Sequence, residues 1–189
     1  MLFRMKYINR WGLMRNIRNE NLCEHSTDVA FLAHALSLIK NEYFNGSVDP
    51  ARVAAAALFH DTPEIMTGDL PTPVKYHNRE ISAAYKSVEK TARSKLLSML
   101  PDRLVPHYRP LMECDLPEEE QKIIKAADKL AALIKCLEEQ QLGNAEFKQA
   151  AISLRKILDD MALIEVDFFI TEFLPCFLLT LDEQDFSKT

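Results

Sequence analysis

Glycine is scarce in this chain, with four in 189 residues, and no stretch alternates apolar and polar residues for long enough to read as a half-buried strand. Turn-rich β architectures are thereby excluded. The four cysteines, Cys23, Cys114, Cys136 and Cys176, lie far apart without CxxC or zinc-finger spacing, which argues against a disulfide framework and against a thiolate zinc site. A reduced, cytoplasmic setting is expected. No apolar run approaches the roughly 20 residues that cross a bilayer, and the N-terminal segment lacks the apolar core of a secretion signal, so a soluble protein without a membrane partner is expected. Acids are missing from the first nineteen residues, which instead carry Arg4, Lys6, Arg10, Arg15 and Arg18. That pattern superficially resembles an organelle transit peptide but has none of its serine enrichment. The net charge of −5 provides no broad basic face for a polynucleotide, while leaving room for a small anion under one or two of those arginines.

What the chain does have is apolar side chains, 48% of the total, in helical patterns and with strong helix formers. The expected fold class is all-α, a compact multi-helix bundle formed by a single domain over residues 1–189. Helices are expected near 3–19, 26–43, 50–60, 78–99, 117–141, 144–161 and 164–180. Asn45-Gly46, Pro101, Pro106 and Gly143 serve as punctuation. The run Val53-Ala54-Ala55-Ala56-Ala57-Leu58 presents small side chains that let helix backbones approach closely, so this helix is expected at the centre. Phe168, Phe169, Phe173, Leu174 and Phe177 fit either ordinary core or a seam between subunits.

Four separated residues stand out as metal-ligand types. His25 lies one turn before the apolar stripe Val29, Leu32, Ala33 and Leu36. His60 follows Val53 and Ala57 on one face, with Asp61 beside it. Asp128 shares a face with Ile124, Ala127, Ala131 and Ile134. A lone histidine on such a face is more often a satisfied core residue, but a buried carboxylate with two imidazoles in the same core points to a cation. The mixed nitrogen and oxygen set suits Mn²⁺, Co²⁺, Fe²⁺ or Zn²⁺ better than Mg²⁺ or Ca²⁺ and does not choose among the four. His34, His77 and His107 have no evident pairing with the set, so one divalent ion is expected rather than two. Just beyond His60-Asp61, the stretch Thr67-Gly68-Asp69-Leu70-Pro71-Thr72-Pro73 reads as a rigid loop overhanging the site.

Together, His25, His60-Asp61 and Asp128 match the H…HD…D signature of HD-domain metal-dependent phosphohydrolases. More specifically, the chain resembles the bacterial HD-domain 5′-deoxynucleotidases over nearly its whole length. The shared segments are Ile8-Asn9-Arg10-Trp11, Leu13-Met14-Arg15-Asn16, Glu24-His25-Ser26, His60-Asp61, Glu64, Thr67 through Tyr76, and Lys135-Cys136-Leu137-Glu138-Glu139. The resemblance implies a helical HD fold, usually homodimeric, that removes the 5′-phosphate from deoxyribonucleoside 5′-monophosphates and leaves ribonucleotides largely alone. It implies that His25, His60, Asp61 and Asp128 hold the metal, and that His25, Asp61 and Asp128 also border the substrate. It further implies that Arg10 orients the phosphate, Glu64 assists the attacking water, and Trp11 with Asp69, Leu70, Pro71 and Thr72 holds the nucleoside. One departure is Thr62-Pro63 ahead of Glu64, where small residues such as Ala-Ser are expected.

These residues suit the reaction chemically. Arg10 offers a planar fork of donors to phosphoryl oxygens, and Glu64, four residues after His60, can reach the attacking water or the leaving group. An indole at Trp11 against the C2′ edge would crowd a ribose hydroxyl, while Asp69 could accept from the 3′-OH; nothing marks a dedicated reader of the base. Two other readings use the same cup: a phosphodiesterase or nucleoside triphosphate hydrolase, and a non-catalytic, metal-stabilised helical module.

Overall fold

The computed structural model describes residues 1–75 and 77–184 and, of Thr72, the backbone alone. Tyr76 of the shared motif and the Thr72 side chain expected to touch substrate therefore lie outside the described residues. The fold is all-α, as the pattern predicts, with α1 (Leu22–Phe44), α2 (Pro50–Phe59), α3 (Glu64–Thr67), α4 (Thr72–Lys75), α5 (Arg79–Leu97), α6 (Val105–Met112), α7 (Glu118–Gln141), α8 (Lys148–Met161) and α9 (Ile164–Glu172). Short 3₁₀ helices occupy Leu2–Tyr7, Ala145–Phe147, Leu174–Leu178 and Leu181–Glu183. Among the described residues no helix is long and apolar enough to cross a membrane.

Local chemistry sets the long helices. Asn21 caps α1 by accepting from the backbone N–H of Cys23 and Glu24, while the Glu24 side chain returns to the Asn21 N–H at 3.2 Å. This capping box starts α1 four residues before the expected position and places His25 within its first turn. Asp49 accepts from Arg52 N at 3.0 Å ahead of Pro50, the first residue of α2. Glu120 in the first turn of α7 is buried and reaches across to α2, accepting from Arg52 Nε at 2.9 Å and Asp49 N at 3.2 Å.

The helices α1 and α7 form the hub: α1 packs on α2, α7 and α9, and α7 packs on α1, α2 and α8. The alanine-rich α2, expected at the centre, packs on α1, α7 and α6, with Ala56 and Ala57 buried and Leu58 44% exposed. The small residues nevertheless act as predicted, since Ala33, Ala56, Ala57, Ala126, Ala127 and Ala131 meet in the main core. Helices α5 and α6 with the short α3 and α4 make a side wing, held by Leu96, Leu97 and Met112 against Phe59 and Tyr108. The α6 helix, absent from the sequence expectation, forms because Pro106 sits in its first turn, where a missing N–H costs nothing. The C-terminal apolar residues divide: Phe169 and Leu174 are core, while Phe173 and Phe177 remain exposed.

The expected helix over 3–19 does not continue past Tyr7. The chain instead runs out and back, with Arg10 N donating to Glu20 O at 2.9 Å, Leu22 N to Ile8 O at 2.9 Å, and an antiparallel bridge between Asn9 and Asn21. Likewise α8 is preceded by a separate 3₁₀ turn, and the last expected helix breaks after Glu172.

Candidate functional site

His25 is fully buried in the first turn of α1, with Nε2 lying 3.1 Å from Asp128 Oδ1 on α7 and 3.7 Å from Asp61 Oδ2. His60 is the C-cap of α2, still in helical geometry, and its Nδ1 lies 2.6 Å from the carbonyl of Ala57. A carbonyl only accepts, so Nδ1 carries a proton, and in the neutral ring that a metal would bind the Nε2 lone pair would face the centre. That Nε2 is buried and lies 3.0 Å from Asp61 Oδ2. Donor atoms of His25, His60 and Asp61 lie within 4.8 Å of one another. Asp128 borders this trio through His25, with its other oxygen 2.7 Å from Lys129 Nζ.

The electrostatics show what the arrangement wants. Burial disfavours a charged His60, yet the Asp61 carboxylate overrides it and raises the imidazole to about 9. Burial would raise Asp128 too, but His25 and Lys129 hold it well below the usual carboxylate range. Carboxylates enclosed in this way call for positive charge between the rings. The buried Nε2 and the two-imidazole, two-carboxylate donor set fit a divalent ion of the Mn²⁺, Co²⁺, Zn²⁺ or Fe²⁺ type.

Arg10 stands beside the cup, its Nη1 3.5 Å from Asp61 Oδ2 and its Nε 3.0 Å from Glu20 Oε2. Burial alone would lower its pKa, but Asp61, Glu20, Asp128 and Asp69 together raise it, so the guanidinium remains charged. Trp11 packs its ring against Phe147, with centroids 5.3 Å apart. Glu64 opens α3 immediately after Pro63, whose φ of −57° is helical, so the departure at Thr62-Pro63 is accommodated as the helix start. Glu64 is 5% exposed, with Oε2 unpartnered and Lys75 Nζ 3.8 Å from Oε1. Burial and the charges of Asp61 and Asp69 push it up to about 8.

The overhanging loop is partly helical. Gly68, at φ 72°, takes the one step a side chain would resist, and its N–H donates to Glu64 O at 2.8 Å. Tyr85 of α5 lies 3.1 Å from Thr67 Oγ1 and steadies the turn. Asp69 acts on Arg10 and Glu64 through its charge, while Leu70 and Pro71, half-buried, lead into α4. His34, His77 and His107 are exposed. Sequence reasoning missed Glu20 and Lys75. Glu20 had a visible signal, being the first acid after an acid-free run that contains Arg10.

A family model for the YfbR-like 5′-deoxynucleotidases matches residues 1–177. The chain belongs to this family. It is 52% identical over 183 residues to a 5′-deoxynucleotidase of Photorhabdus temperata, covering 96% of this chain and 93% of that one. A 5′-deoxynucleotidase of Yersinia pestis is 51% identical over the same shares. Among solved structures, an HD-domain phosphohydrolase from Listeria innocua superposes with a TM-score of 0.81 at 27% identity, covering 94% of this chain and 86% of that one. The cyanophage S-2L HD phosphohydrolase, bound to dA and one catalytic Zn²⁺, superposes with a TM-score of 0.66 at 19% identity over 94% of each chain, a likeness of fold.

Proposed function

We propose that this 5′-deoxynucleotidase-family enzyme hydrolyses deoxyribonucleoside 5′-monophosphates to deoxyribonucleosides and phosphate, selects against ribonucleotides and is tolerant of the base. The observation that carries the reading is the convergence of His25, His60 and Asp61, with Asp128 3.1 Å from His25 and Arg10 3.5 Å from Asp61. His25, His60, Asp61 and Asp128 would hold one divalent ion, Mn²⁺ or Co²⁺ before Zn²⁺ or Fe²⁺. When bound, that ion supplies charge neutralisation and a more acidic water.

The chain's own residues carry the remaining steps. Arg10, kept charged by its acidic surroundings, grips and orients the non-bridging phosphoryl oxygens beside His25, Asp61 and Asp128. Glu64, buried with one oxygen free, takes the proton of the attacking water or passes one to the 5′-oxygen as it leaves. Trp11 crowds the C2′ edge of the sugar and Asp69 accepts from the 3′-OH, with Leu70, Pro71 and Thr72 closing over the nucleoside. The four cysteines are free thiols, which suits a cytoplasmic enzyme of the nucleotide pool. The exposed Phe173 and Phe177 leave apolar surface for a homodimer contact, which sedimentation would test.

The decisive experiment is phosphate release from dAMP beside AMP after metal removal and resupply with Mn²⁺, Co²⁺, Zn²⁺ or Mg²⁺, with Asp128→Ala as control. Metal-restored, deoxy-selective release that the variant loses is expected. Equal release from both nucleotides would remove the sugar argument, and no release with any metal would point to another phosphoester or to a binding module.

A further inference from the structure

Glu20 takes no part in that chemistry, yet its carboxylate is buried at the rim of the cup, 8% exposed. A charge withdrawn from water needs partners that offset its desolvation. Its partners are Arg10 Nε at 3.0 Å and Trp11 Nε1 at 3.0 Å, and both donate to the same oxygen, Oε2. Residues next to each other in extended chain point to opposite sides, whereas here two neighbours converge on one atom. The convergence coincides with an unusual backbone: Trp11 has φ 59°, a left-handed conformation that a bulky residue keeps only where its surroundings over-determine it. The Arg10 N–H to the Glu20 carbonyl at 2.9 Å and the Asn9–Asn21 bridge hold the two segments in register.

The guanidinium is planar and rigid, so fixing its Nε edge on Glu20 decides which nitrogens face the cup, where Nη1 lies 3.5 Å from Asp61. We infer that Glu20 is a positioning residue shared by phosphate and sugar recognition, one oxygen setting both the Arg10 fork and the Trp11 wall. The inference rests on the roles proposed above for Arg10 and Trp11, and it adds that the two cannot be tuned separately while Glu20 is in place.

The chain contains one tryptophan, so the emission of the intact protein reports Trp11 directly. The test compares metal-loaded wild type with Glu20→Ala, Glu20→Asp and Glu20→Gln, reading tryptophan emission and anisotropy together with kcat/KM for dAMP and AMP. Glu20→Ala is repeated in Arg10→Ala and Trp11→Ala backgrounds. Glu20→Ala is expected to shift the emission, lower its anisotropy, reduce kcat/KM for dAMP by about 10- to 100-fold and narrow the dAMP-to-AMP ratio. Glu20→Gln, whose amide oxygen can accept both donors at the Oε2 position, is expected to restore most of the ratio. Should Glu20→Ala not fold, Glu20→Asp keeps the charge, withdraws the oxygen by one methylene, and is expected to behave as Glu20→Ala would.

In the Arg10→Ala background the Glu20 substitution should add little further loss, because the group it positions is gone. Unchanged emission, or an undiminished loss in that background, would overturn the inference. If Trp11→Ala loses deoxy preference while the Glu20 variants keep it, the inference falls and the proposed function stands. If the wild type shows no deoxy preference, the sugar reading falls, and the Glu20–Arg10 coupling on dAMP still decides the phosphate half.

Discussion

At the scale of single residues, the proposed function separates groups that would bind from groups that would act in the transition state. The wall proposed at Trp11 is apolar, and an apolar wall discriminates an added hydroxyl by only about 10²-fold. Trp11→Ala should therefore raise turnover of AMP relative to dAMP by up to about that factor while leaving metal affinity unchanged, measured as the ratio of the two kcat/KM values. Glu64 belongs to the other kind. Buried, with one oxygen unpartnered and Lys75 nearby, it is placed for proton transfer, so Glu64→Gln should lower kcat by about 10²- to 10⁴-fold with little change in KM for dAMP. The residues that were legible in the sequence share a property. His25, His60 and Asp128 interrupt apolar stripes on regular helices, where a polar residue is conspicuous. Glu20 and Lys75 sit in irregular chain or a single short turn, where no periodicity exists to be broken, and their partners are known only once the chain has folded.

At the scale of elements, the long helices are legible because caps and stripes agree, whereas the segment carrying Arg10 and Trp11 has a helical pattern and is not a helix. Its backbone is held by side chains from more than a hundred residues downstream, which no local pattern reveals. Glu139 of α7 accepts from the N–H groups of Ile17 at 2.9 Å and Arg18 at 3.0 Å, and from Asn144 Nδ2 at 2.8 Å. Lys135, one turn earlier, pairs with Glu139 and donates to the Arg18 carbonyl. Lys135 and Glu139 are thus a clamp on the irregular segment that leads into α1. Burial would raise the Glu139 carboxyl, but Lys135 and the two backbone N–H groups hold it down at about 2. A carboxyl depressed in the folded state stabilises the fold above its unfolded pKa, about 4.3, and loses that contribution as pH falls toward 2. Glu139→Gln should therefore lower Tm at pH 7 and flatten the fall of Tm between about pH 4 and pH 2, as followed by circular dichroism.

At the scale of the whole molecule, the cup draws on α1, the C-terminal end of α2 with the turn that follows, and α7, helices that already share the alanine-lined core. An ion held there would bind the folded state and not the separated segments, so occupancy adds to stability by mass action. At free metal one hundred times Kd the gain is about 2.7 kcal/mol. For a chain of this size each kcal/mol moves Tm by about 2–4 °C. Chelation should thus lower Tm by about 5–10 °C, and resupply of Mn²⁺ or Co²⁺ should restore it. Asp128→Ala gives the control, because it removes one carboxylate from the donor set while α7 keeps its apolar face. In that variant the metal-dependent part of the shift should shrink or vanish in differential scanning fluorimetry. An equal metal-dependent shift in Asp128→Ala and wild type would mean that the stabilising ion binds elsewhere than between α1, α2 and α7.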